Sequence, residues 1–103
     1  MQADGGARPR RPLADHHTRP VPHPVVSAYP LDDELIVFDS RSAEAHVLNP
    51  TAAFLWSLCD GKHNVEGLVQ ALVAAYALRS TQAEADVTEF LGELRGAGLM
   101  TFE

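Results

Sequence analysis

The chain has 103 residues, 46% of them hydrophobic, a single cysteine and a formal net charge of −6. That length suits one domain around one core, and a lone cysteine excludes an intramolecular disulfide and fits a reducing cytoplasm. No run approaches the ~18 consecutive apolar residues of a membrane span, and MQADGGARPRRPLADHH has no apolar stretch after its charges, so neither a membrane segment nor a secretory signal is expected.

The charge is unevenly spread. Residues 1–24 carry Arg8, Arg10, Arg11 and Arg19 against Asp4 and Asp15, a net of +2; residues 25–103 carry four cations against twelve carboxylates, a net of −8. Nonspecific affinity for nucleic acid comes mainly from Lys and Arg neutralising phosphates. A unit this acidic repels them and suits a basic or neutral partner.

Residues 1–24 also hold five of the seven prolines and no Ile, Phe, Tyr or Trp. Such a segment buries too little apolar surface to offset its ordering entropy, so it reads as a disordered or extended Arg/Pro-rich tail. It is either solvated or a contact for a partner. Order is expected from Val25. Val25–Tyr29 is a short β-branched and aromatic run closed by a turn at Pro30-Leu31-Asp32-Asp33. Glu34–Asp39 (ELIVFD) is the strongest strand candidate, apolar on both faces. After the polar link Ser40–Ala43, Glu44–Leu48 (EAHVL) returns as a third strand, and two short links make an antiparallel meander.

At Asn49 the period turns helical. Asn49 can cap a helix and Pro50 can open it; Thr51–Cys59 fills it and Asp60-Gly61 stops it. A second helix from Asn64 carries Val65, Leu68, Val69, Leu72, Val73 and Tyr76 on one stripe. A third opens with the Thr-x-x-Glu capping box at Thr81–Glu84, turns Val87, Phe90, Leu91 and Leu94 inward, and ends at Gly96-Ala97-Gly98. Leu99–Phe102 adds a short strand or packs as a tail. Gln82, Asp86, Glu89 and Glu93 share a polar stripe of the third helix, either a solvated face or a surface that discriminates among ligands. Three strands followed by three helices give an α+β domain of winged helix-turn-helix type. A meander this short needs helices on one face, and its edge strands keep backbone N–H and C=O groups available to another chain.

Little in the chain suggests catalysis. Cys59 and His63 have the spacing of a nucleophile and base on one helix, but Gly61 breaks the helix between them. The histidines lack metal-ligand spacing, and there is no phosphate loop or serine elbow. Asp32-Asp33-Glu34 reads as solvated acids at a turn. No cofactor, metal or catalytic residue is expected. A DNA-binding winged helix fails on charge, because the third helix carries acids along its outer stripe.

The string LNPTAAFLWSLCDG, with a strand hairpin before it and helices ending in Tyr76 and in EFLGELRGAGL after it, resembles the PqqD-like family of RiPP recognition elements, or peptide chaperones. Asn49, Pro50, Ala52, Ala53, Trp56, Asp60 and Gly61 match its core pattern, Leu68 and Leu72 its second helix, and Phe90, Leu91, Leu94, Gly98 and Leu99 the end of its third. The resemblance covers residues 25–103 and leaves the tail outside. It implies a non-catalytic domain that binds the leader of a ribosomally made precursor peptide and hands it to a modifying enzyme of radical-SAM, peptidase or cyclase type. The leader typically adds to the third strand and lies in a groove against the third helix. Strand addition draws affinity from main-chain hydrogen bonds and specificity from side-chain pockets. The candidate contacts are therefore Glu44, Ala45, His46, Val47 and Leu48 on the strand and Asp86, Val87, Glu89, Phe90 and Glu93 on the helix. An apolar slot is expected near Val87 and Phe90, with the acids favouring Lys or Arg on the leader. The alternatives are a scaffold subunit that binds only the modifying enzyme and a regulatory winged-helix protein.

Overall fold

A computed structural model describes residues 18–102. Eight elements follow in order: β1 (Pro20–Pro22), β2 (Val26–Leu31), β3 (Glu34–Asp39), β4 (Glu44–Leu48), α1 (Pro50–Ser57), α2 (Val65–Tyr76), α3 (Ser80–Gly96) and β5 (Met100–Phe102). β2, β3 and β4 form a three-stranded antiparallel sheet with β3 in the centre, and β1 pairs antiparallel with β5 in a separate two-stranded ribbon. The architecture is α+β, with an antiparallel sheet and three helices.

The register explains the division of faces. Leu35 pairs with Leu48 and Val37 with His46, while Ile36 pairs with Val47 and Phe38 with Ala45. Side chains alternate across a strand, so Val37 and Leu48 point to the helices, where both are buried in the core. That core joins them to Leu55 of α1, to Val65, Leu68, Val69 and Leu72 of α2, and to Val87, Phe90, Leu91 and Leu94 of α3. Fully burying one such side chain contributes about 1.5–3 kcal/mol. Trp56 is partly buried against this cluster.

Local signals set the helix ends. Asn49 Oδ1 accepts from the Ala52 N–H at 2.8 Å, with Pro50 opening α1, and Asn64 Oδ1 accepts from the Gly67 N–H at 2.8 Å at the start of α2. After α1, Gly61 takes φ +81°, and a Cβ there would lie 3.1 Å from a methyl of Val21, so both conformation and space favour glycine.

Three expectations need correction. Pro20–Pro22, assigned to the tail, form β1, and Pro20 is fully buried. What orders this stretch is long-range: β1 pairs with β5, the His23 N–H donates to Leu99 O, and the Val65 N–H donates to Thr18 O, both at 3.0 Å. The rest of the tail, residues 1–17, lies outside the described residues. Pro30 and Leu31, expected in a turn, extend β2 instead, which a proline permits because β2 is an edge strand. The capping box does not form: α3 already starts at Ser80 with Arg79 in the cap position and no side-chain cap hydrogen bond, so Thr81 lies inside the helix.

Candidate functional site

The sheet has two edges, and they differ chemically. β2 carries Pro30, which has no N–H to offer. β4 (EAHVL) carries no proline and pairs only with β3, so among the described residues no strand covers its outer edge. Glu44 and Ala45 are exposed, His46 is half-buried with its Nε2 3.9 Å from Glu44 Oε1, Val47 is 62% exposed and Leu48 is buried.

Beyond the end of β4 opens a cleft of about 290 Å³, lined by Asn49, Thr51, Ala52 and Leu55 from the start of α1 and by Asp86, Glu89, Phe90 and Glu93 from α3. The α3 residues stand at i, i+3, i+4 and i+7, one continuous stripe of a helix, with Phe90 among three carboxylates. Asp86 Oδ1 accepts from Gln82 Nε2 at 2.8 Å. The expected groove between the third strand and the third helix is thus a cleft between the start of α1 and the middle of α3, reaching β4 through Asn49. Four of the five candidate helix residues line it. Val87 does not: it is 0% exposed and packs in the core, one helical position away from the stripe that faces out. Sequence reasoning missed Thr51, Ala52 and Leu55, and gave Asn49 only a capping role. The available signal was the absence of any loop between β4 and α1, which brings the first turn of that helix beside the strand end.

The remaining chemistry-bearing residues are structural. The Cys59 thiol is buried, donates to Leu55 O at 3.3 Å, and is pushed up to about 12 by burial and then by the nearby Asp60 charge. Such a thiol is a poor nucleophile. His63 turns instead to Asp60, with Nδ1 3.1 Å from Oδ1. The Lys62 N–H at 2.9 Å, with help from His63, holds the Asp60 carboxyl down at about 2. Among the described residues no group of three or more His, Cys, Asp or Glu is placed to hold a metal ion, and no helix is long and apolar enough to cross a membrane.

No curated protein matches the chain at a significant level. Two solved structures resemble it closely in shape. One is described as TbiB1 in complex with the TbiA(beta) leader peptide, with a TM-score of 0.73 and 24% identity over 78% of this chain and 93% of that one. At that identity the likeness speaks for the fold. The other is lasso peptide synthetase B1 complexed with the leader peptide, with a TM-score of 0.72 and 30% identity over 81% of this chain and 98% of that one. The family model for coenzyme PQQ synthesis protein D (PqqD) matches residues 34–100, from the start of β3 to the start of β5. The chain belongs to the PqqD family.

Proposed function

We propose that this protein binds the leader of a ribosomally synthesised precursor peptide as a fourth strand on β4 and presents it to a modifying enzyme. The observation that carries this reading is the open, proline-free edge of β4 ending beside the α1–α3 cleft. Leader recognition is also what the description of its 30% identical structural relative records for that protein. In this mode the main chain at Glu44–Leu48 supplies hydrogen bonds, and the cleft takes a side chain. The fold is read as a winged helix-turn-helix whose strands serve a peptide in place of DNA. The chain acts by binding and leaves turnover to its partner. Its setting is the cytoplasm, where a free buried thiol such as Cys59 persists.

Presentation has its own support. The outer sheet face carries Tyr29, Ile36 and Val47 in one cross-strand row, with Leu31 beside it, and Tyr29, Leu31 and Val47 are each more than half exposed. A peptide paired to β4 would extend that apolar face with its own outward side chains, giving an enzyme one continuous surface. The same row favours a second reading, a scaffold that binds only the enzyme.

Titration with a labelled synthetic leader, taken from a precursor reading frame found beside the gene, separates the two. Saturable binding with amide shifts concentrated in Glu44–Leu48 supports leader recognition. Absence of binding at high micromolar concentration, with those shifts unmoved, refutes it and leaves the scaffold.

A further inference from the structure

Granted that β4 takes a peptide, the chemistry of the adjoining cleft says which peptide. We infer that it selects an extended segment in which an aliphatic or aromatic residue is followed or preceded, two positions away, by lysine or arginine.

The apolar half of this motif follows from the cleft floor. Leu55 is 1% and Phe90 6% exposed, and Ala52 adds a small apolar wall. At about 290 Å³ the space is just below the ~300–1,000 Å³ typical of small-molecule sites. It suits one side chain better than a cofactor.

The cationic half follows from the rim. Glu89 and Glu93 are exposed, and neither carboxylate makes a hydrogen bond or ion pair within the described residues, while the Asp86 carboxylate is engaged only by the neutral Gln82. Lys62, Arg41, Arg79 and Arg95 all lie outside the lining, and Arg95 is occupied over the Phe102 ring at 5.7 Å. Three carboxylates therefore surround an apolar floor with no internal counter-charge. An acidic residue brought there is repelled, and a cation is attracted.

Spacing follows from strand geometry. Residues two apart on an added strand share a face and stand about 6–7 Å apart. A Lys or Arg stem spans that distance along apolar surface while its head reaches the rim.

The test is selection of random twelve-residue peptides displayed on phage against the immobilised full-length protein. Recovered sequences should be enriched about fivefold in the apolar-x-Lys/Arg pattern or its reverse. The enrichment should vanish with Glu89→Gln/Glu93→Gln and persist with Glu84→Gln, which removes one charge from the same helix outside the cleft. Circular dichroism checks that each variant is folded. Peptides recovered without a cationic preference, or with the same preference from the double variant, overturn this inference and leave peptide binding intact. Recovery of no peptide above a bare support overturns both.

Discussion

The Arg41 guanidinium grips Asp39 side-on, donating from Nε to Oδ1 at 3.0 Å and from Nη2 to Oδ2 at 2.9 Å. The Arg41 N–H donates to the same Oδ1 at 2.9 Å, and Nη2 reaches Gly98 O at 2.6 Å. One side chain therefore ties the hairpin that launches β4 to the turn after α3, and Asp39, only 4% exposed, is its anchor. Side-chain and then backbone hydrogen bonds from Arg41 hold the Asp39 carboxyl below its ordinary range. A carboxyl depressed on folding stabilises the fold above its unfolded value, near ~3.9, and that contribution is lost as pH falls through the folded value. Arg41→Lys keeps the charge and loses the fork. Its Tm at pH 7 should fall below that of the wild type, and the fall in Tm below about pH 4 should become shallower. Thermal melts from pH 2 to 7 decide it; an unchanged acid limb would show the pair to be incidental.

Core and edge should separate under mutation. Leu72 is 0% exposed at the centre of the cluster, and removing a buried leucine side chain costs about 2–5 kcal/mol. Leu72→Ala should therefore lower stability by that amount in urea unfolding. Val47→Ala, on the exposed side of β4, should change stability by no more than about 0.5 kcal/mol while weakening peptide binding. A Val47→Ala variant that loses stability as severely as Leu72→Ala would show that Val47 belongs to the core.

The hinge at Val47–Gly61 was legible because its instructions are local: Asn49 caps, Pro50 opens, and Gly61 turns at positive φ. The limits of β3 and β4 were also readable from alternation, and period gave the buried stripe of α2 from Val65 to Leu72, though Tyr76 at its end is 43% exposed. β1 was not, because Val21 between two prolines gives no strand signal and its partner Thr101 is 80 residues away. Period alone likewise cannot separate Val87 from Phe90. Both are buried, yet only Phe90 borders the cleft, and that depends on where α1 lies.

Burial of Cys59 has a consequence on the alkaline side. An unfolded thiol ionises near ~8.5, whereas the folded one is pushed up to about 12. The neutral thiol is thus favoured by folding, and stability should decline as pH rises from about 9 toward 12. In the native protein at pH 8, alkylation by iodoacetamide should be slow and should become rapid in denaturant. Fast native labelling at pH 8 would mean that the α1 end opens readily.

Ala77 closes α2 in the left-handed region, at φ 54° and ψ 40°. That conformation costs a non-glycine residue roughly 1 kcal/mol, and glycine adopts it freely. Ala77→Gly should therefore raise stability by about 0.5–1 kcal/mol without affecting peptide binding. A destabilised variant would mean that the added freedom of the unfolded chain outweighs the relieved strain.

The sharpest test of strand addition uses two neighbouring prolines. Successive N–H groups of an antiparallel edge strand point alternately to the paired neighbour and to the open side. Of Ala45→Pro and His46→Pro, one removes a β3–β4 ladder bond and the other a donor offered to the peptide. The first should lower Tm. The second should leave Tm near wild type and weaken leader affinity about three- to tenfold, the equivalent of one hydrogen bond at ~0.5–1.5 kcal/mol. Melting curves identify which variant is which before any peptide is added. If the variant with intact Tm binds leader as the wild type does, the peptide does not pair with β4, and the cleft between α1 and α3 must hold it alone.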